Sequence, residues 1–228
     1  MQHSIRAIAI TSLLALAACG GSNGGVEAPP PPREPKVEKP PKVEKPKSND
    51  WRLYISNEDR DRLARWRSAW MSGLGKASTA GNSPQIAAQG ALLKPDQALD
   101  DPMLPAGDYR CRTIKMGAQS KGMLDYIAYP YFSCRISAME GGRLRFLKLD
   151  GSQRPVGDIF PDEGNRMIFL GSMMLGDEAR PLPYGRDTER DMVGIVERVG
   201  ARRWRIVFPY PRWESLVDVV ELLPKDPG

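Results

Sequence analysis

Cys111 stands between Arg110 and Arg112 in the segment AGDYRCRTIKMG, residues 106–117. A thiol beside two cations could be a nucleophile, a metal ligand or half of a bridge. The chain has cysteines only at 19, 111 and 134, and a single histidine, His3. His3 falls in an N-terminal leader, so a mature chain would carry no imidazole. Ser-His-Asp and Cys-His catalysis and histidine-dependent zinc sites are then excluded. The sequence also lacks a GxGxxG or Walker loop and a Ser-x-x-Lys of the penicillin-binding type.

Carboxylates leave one catalytic route open. A glycan-cleaving enzyme needs two, one kept protonated and one ionised. Candidate groupings are Asp162/Glu163, Asp177/Glu178 and the cluster Asp187, Glu189 and Asp191. Neighbouring acids in loops are ordinarily solvated surface, so no catalytic residue is expected. The run DTERD, 187–191, offers oxygens suited to calcium but lacks the glycine turn and distal bidentate glutamate of a calcium loop. No metal or cofactor is therefore expected. The expected binding surface is a polar patch of Gln153, Arg154, Tyr184, Arg186 and Asp191. The first two separate strand-like runs, and the others lie in or beside a long segment, 175–191, of the kind that concentrates binding residues. The competing expectation is that Arg–Asp pairs there simply pin the loops.

These residues need a scaffold and a compartment. The opening MQHSIRAIAITSLLALAACGG has one cation, Arg6, and an apolar run from Ala7 to Ala18. That run is shorter than the about 20 residues of a membrane span. It ends in Leu16-Ala17-Ala18-Cys19, which resembles a bacterial lipobox. Residues 1–18 thus read as a signal peptide, and Cys19 as the lipidated N-terminus. Two or three acyl chains there would anchor the protein stably. Gly20 follows rather than Asp, which favours the periplasmic face of the outer membrane. Residues 19–50 contain GGSNGG and a tandem PKVEKP at 35–40 and 41–46. Proline fixes φ and removes donors, so polyproline II is expected, with a reach of up to about 60 Å at about 3.1 Å per residue.

The remaining 178 residues carry 26 basic and 23 acidic side chains, a net charge of +3. So small an excess gives no footprint for nucleic acid. Residues 51–106 read as helical: Ser56 can cap, and Leu63, Trp66, Trp70 and Leu74 form one apolar stripe. Ser83-Pro84 suits a second helix start. From residue 107 short apolar runs are punctuated by Gly, Pro and Asp. Strands are expected near 108–116, 125–137, 143–149, 155–160, 166–174, 192–199, 202–208 and 216–223. The fold class is mainly β (α+β): an antiparallel β-barrel or sandwich of about eight strands, 107–224, with an N-terminal helical segment that plugs or flanks it. In one strand Trp204, Ile206 and Phe208 alternate with Arg203, Arg205 and Val207, giving an apolar and a largely basic face.

With Cys19 lipidated in an oxidising periplasm, Cys111 and Cys134 remain for each other. They sit in strand-like runs 23 residues apart, so the spacing favours a disulfide over a reactive thiol. Arg110 and Arg112 then point to the opposite face of their strand.

Long stretches of the chain resemble an uncharacterised family of exported proteins, the domain of unknown function 4893. They include WRLYISNEDRDRLARWRSAW, GDYRCRTIKMG, YPYFSCRI, LDGSQRPVGDIFPD, MIFLGSMMLGDE, LPYGRDTERDMVGIVERVG and RWRIVFPYPRWESLVDVVELLP. The resemblance spans roughly 51–224 and implies no activity; it marks residues 1–50 as an anchor and tether. The combined expectation is a non-enzymatic envelope lipoprotein, bound to the membrane through its N-terminal lipid, whose barrel holds an envelope protein, a glycan or a small ligand. By architecture alone it is similar to barrel lipoproteins that inhibit proteases. A structural spacer and a cell-wall glycan-cleaving enzyme are the alternatives.

Overall fold

The computed structural model describes residues 48–225. The expected signal peptide, the lipidated Cys19 and the tether through residue 47 lie outside the described residues. Nine strands follow a helical segment: β1 (Gly107–Ala118), β2 (Tyr126–Ala128), β3 (Phe132–Ala138), β4 (Leu144–Lys148), β5 (Gln153–Pro161), β6 (Arg166–Leu175), β7 (Asp191–Gly200), β8 (Arg203–Pro209) and β9 (Ser215–Pro224). Every pairing is antiparallel, and β1 also pairs with β9, with Arg112 opposite Glu221. That last ladder closes β1 and β3 to β9 into an eight-stranded barrel, leaving β2 as one extra strand.

The single strand expected over 125–137 is divided. β2 and β3 both pair with the same edge of β1, Ile114 opposite Ala128 and Cys111 opposite Phe132. Three residues, Tyr129-Pro130-Tyr131, span what two residues span on β1. Pro130 has no N–H to give a ladder, so the line bulges there.

Alternation then sorts the side chains. Inside are Tyr109, Cys111, Cys134, Phe146, Phe169, Trp204, Ile206, Phe208 and Leu222. The Phe146, Phe169 and Phe208 rings meet edge to face, with centroids 6.1 and 5.3 Å apart along the series. Gly157 and Gly171 face each other across β5 and β6, and a Cβ on either would lie about 2.6 Å or less from the tip of the Phe169 ring. The barrel is thus filled by side chains. Its lower end is closed by residues 99–106: Leu104 is 1% exposed, Trp204 Nε1 donates to the Pro102 carbonyl (3.1 Å) and Tyr109 Oη donates to that of Pro105 (2.7 Å). Cys111 and Cys134 are disulfide-bonded within this core, with Cα atoms 5.9 Å apart. Arg112 points outward, donating to Glu221 and lying over the Tyr131 ring. The thiol in question is therefore structural.

The helical segment flanks the barrel rather than plugging it. It contains α1 (Asn57–Ala64), α2 (Trp66–Ala77) and the short α3 (Ser83–Ala88). Ser56 Oγ accepts from the Asp59 N–H, as its capping role requires, and Pro84 lies in the first turn of α3. The stripe expected as one helix is broken at Arg65, but its residues still share a face. Leu63 and Trp70 are buried, with Trp66 and Leu74 packed beside them, against the outer wall formed by Ile114, Ile195, Val207, Val217 and Val219.

The basic face of β8 is consequently covered, not solvated. Arg205 is 0% exposed. Its guanidinium donates to the carbonyls of Ala91, Leu92, Lys94 and Pro95, donates to Glu197 (2.7 Å), and stacks 4.5 Å from the Trp70 ring centroid. Arg205→Leu would strand the buried Glu197 carboxylate and four carbonyls. Its expected cost is about 3–5 kcal/mol in urea unfolding. Adding Glu197→Leu should restore part of that loss, and a second variant that deepens it would contradict this account.

Candidate functional site

A filled barrel puts its usable surface on the outer wall and at the open end. On the wall, a cavity of about 670 Å³ lies over β4, β5 and β6. Outward residues Arg143, Arg145, Val156, Asp158, Phe160 and Leu170 form its floor. Leu53 and Tyr54, from the turn entering α1, form one bank; Pro181 to Tyr184, from the β6–β7 loop, form the other.

Both banks are fixed. Trp51 Nε1 donates to Asp162 Oδ1 (2.9 Å), Arg52 Nη2 donates to the same oxygen (3.2 Å) and Arg166 Nε donates to Oδ2 (3.0 Å). Burial alone would raise the Asp162 carboxyl, but these donors and the Glu163 N–H hold it below the usual carboxylate range. Tyr54 stacks on Phe160 with centroids 5.5 Å apart, and its hydroxyl donates to the Ser48 carbonyl (3.0 Å). On the opposite bank Ser172 Oγ donates to the Leu182 carbonyl (2.6 Å). Tyr184 Oη accepts from the Ser56 N–H (3.1 Å) and donates to the Asp59 carboxylate. The same Asp59 pairs with Arg62, which also donates to the Asp191 carbonyl (2.9 Å). Helix α1 and the loop are thus locked together below the groove.

The floor is electrically asymmetric. Arg145 Nη1 donates to Asp158 (2.6 Å). Arg143 has no carboxylate partner among the described residues; it lies 5.7 Å from the Phe160 ring centroid, and its buried Nε makes no hydrogen bond.

Of the five residues expected to form one patch, Tyr184 and Asp191 join one hydrogen-bond network through Asp59, Arg62 and Gly185, while Gln153 and Arg154 are held elsewhere. Tyr184 lines the groove. Asp191 is buried at the start of β7, where its Oδ1 accepts from the Gly185 N–H (2.9 Å) and its Oδ2 is unpaired. Burial pushes the Asp191 carboxyl upward, against the pull of the Gly185 N–H. Arg154 spends its Nη2 on the carbonyls of Leu175, Gly176 and Glu178. Gln153 faces the upper end of the barrel, where its Nε2 reaches Glu214 (3.4 Å). Arg186 is exposed in the loop.

The acidic groupings are similarly distributed into structure. Asp162 is enclosed by its three donors, and Glu178 accepts from the Leu175 N–H and pairs with Arg190. Asp187 caps its loop, its carboxylate accepting from the Glu189 N–H (3.0 Å). Among the described residues no group of three or more His, Cys, Asp or Glu is placed to hold a metal ion. Arg143, Tyr54 and Phe160 were not anticipated. The legible signal for the arginines was RLRFLK, 143–148, where the barrel pattern turns Arg143 and Arg145 to one outer face.

At the upper end the barrel opens into a mouth of about 100 Å³ lined by Thr113, Lys115, Lys148, Gln153 and Asp218. Lys115 Nζ donates to Asp218 (2.7 Å) and pairs with Glu214 (3.1 Å).

These features define a closed antiparallel barrel with a helical flank and a surface groove. No curated protein and no solved structure matches the chain. A family profile does, over residues 51–222, and the chain belongs to that family, described as Domain of unknown function (DUF4893). Among the described residues no helix is long and apolar enough to cross a membrane.

Asp162 gives the site a pH signature. Its carboxyl is held below its unfolded value, so its contribution is present above about pH 4 and is lost as pH falls through the folded value. Asp162→Asn should therefore flatten the acid limb of a stability–pH profile measured by chemical unfolding. An unchanged acid limb would show that the three donors do not favour the ionised form.

Proposed function

We propose that this chain is a non-enzymatic lipoprotein of the cell envelope, held by acyl chains on Cys19, whose barrel domain binds a partner polypeptide in the outer-wall groove. The single observation carrying the binding reading is the contrast between a barrel core occupied by aromatic rings and a wall groove of about 670 Å³. The groove's composition selects the partner. Leu53, Leu170, Pro181, Leu182 and the aromatic faces of Tyr54 and Phe160 suit apolar side chains better than a sugar polymer. Arg143, without a carboxylate of its own among the described residues, suits an Asp or Glu on the incoming segment. Support for the anchor is the leader ending in LAAC and the proline-rich run after it.

Selection of a displayed random peptide library against the purified protein should enrich segments that place an acid beside apolar residues. Arg143→Ala should weaken the selected peptides about tenfold, the scale of one charge-assisted contact. Enriched peptides indifferent to both Arg143→Ala and Leu53→Asp would overturn the groove. Cells fed radiolabelled palmitate should label the protein but not its Cys19→Ala variant; an unlabelled wild-type chain would overturn the anchor alone.

A further inference from the structure

Lys148 ends β4 with its side chain turned into the barrel mouth, and the residue is only 5% exposed. Its Nζ donates to the carbonyls of Asp150 and Gln153, each at 2.9 Å, and lies 3.9 Å from the Phe132 ring centroid. Two carbonyl acceptors and an aromatic face all favour the ammonium form. Its charge is nevertheless unpaired. Among the described residues no carboxylate stands within ion-pair distance of Nζ, whereas Lys115 is compensated by Asp218 at 2.7 Å and Glu214 at 3.1 Å. Burial works against the Lys148 charge; Asp150 supports it, and the charges of Arg154 and Lys115 oppose it. A buried cation is ordinarily matched by an anion. Here carbonyl dipoles and a ring stand in place of one, and the two carbonyls leave one of three ammonium N–H bonds over.

The mouth beside this ammonium is two-natured. Lys115, Lys148 and Asp218 give its lining one more cation than anion. The hydroxyls of Thr113 and Ser152 share that lining with the apolar Met173, Met192 and Phe208. Gly151 turns the chain at φ +85°, and a Cβ there would stand 2.7 Å from Lys148 Nζ, so the missing side chain keeps the nitrogen approachable. The volume of about 100 Å³ equals the share of about three molecules of liquid water, which limits an occupant to a chain of about two to four carbons.

We propose that the barrel mouth binds a short-chain carboxylate, with the Lys148 ammonium as its counter-charge and Met173, Met192 and Phe208 receiving its alkyl end. The contact is noncovalent, and Lys148 stays protonated throughout. The carboxylate supplies the compensation that the fold gives to Lys115 and withholds from Lys148. An inorganic anion satisfies the charge but leaves the apolar lining unused; a neutral compound of the same shape does the reverse. The mouth shares no lining residue with the wall groove, so this site and the peptide-binding groove stand or fall separately.

The test is a titration of the isotope-labelled full-length protein with sodium propanoate at constant ionic strength, followed through backbone amide shifts. Saturable shifts should appear at Gly151, Ser152 and Gln153, with a Kd on the order of 1 mM, as suits a compound of this size. Propanamide and chloride should each bind at least about tenfold more weakly than propanoate. Lys148→Met should weaken propanoate by a similar factor while leaving amide shifts away from the mouth unchanged. Absence of saturable shifts at about a hundred times that Kd would overturn the proposal. So would propanamide matching propanoate, because the charge is then not read, or chloride matching it, because the mouth is then an adventitious ion site only. A folded Lys148→Met that binds propanoate unchanged would overturn it as well. The comparison of the three compounds uses the wild-type chain, so it decides the matter even where the variant fails to fold.

Discussion

The guanidinium of Arg205 is the fixed point around which this molecule is organised. Four consecutive-turn carbonyls, one carboxylate and one indole face converge on a group with no contact with water. A buried cation is tolerated only when every donor is used, and the geometry of arginine suits a cage of carbonyl oxygens far better than an ammonium would. The cage belongs to the segment after α3, and the cation belongs to β8. Helices that could otherwise slide on an apolar wall are therefore held in one position. The entry turn at Trp51–Leu53 stands on the same platform through Asp162, so the near bank of the groove inherits its position from this packing.

Aromatic filling of the barrel has a second effect. Phe146, Phe169 and Phe208 occupy the volume in which a hollow barrel would keep a ligand, and Leu104 seals the lower end. What remains open is a wall and a rim. The wall is broad, apolar and marked by Arg143, which has no carboxylate partner among the described residues; the rim is narrow and lined by two lysines in unlike surroundings. Lys115 lies between acids, and Lys148 between carbonyls and a ring. The same residue type, two β-ladders apart from its counterpart, is thereby given two electrostatic surroundings.

Much of the barrel was legible in the chain because a period of two survives wherever one face must be buried. The strands from β4 to β9 follow from that alternation, and the Cys111–Cys134 bridge from the cysteine count and spacing. The break at Tyr129–Tyr131 was harder to see, although Pro130 signals it, because the flanking residues keep strand-like types. The burial of Arg205 was not legible for a physical reason: alternation says that a side chain points outward, not whether another layer covers it. The polar patch assembled only in part, at Tyr184 and Asp191, for a related reason. Gln153 and Arg154 are adjacent in sequence and so face opposite sides of β5, one towards the mouth and one towards the β6–β7 loop. Loop arginines and aspartates became ties, while the groove drew its cation from a strand that reads as ordinary sheet.

The ladder between β1 and β9 joins residues about a hundred positions apart in the chain, Arg112 with Glu221 among them. Loop-closure entropy makes such a pairing late, since nearly all of the intervening hairpins must form first. A ribosome-bound or truncated chain lacking β9 would present two raw sheet margins, the very surfaces through which polypeptides aggregate. The barrel therefore cannot close until β9 is available, and any chaperone that accompanies the nascent protein has two specific margins to shield until then.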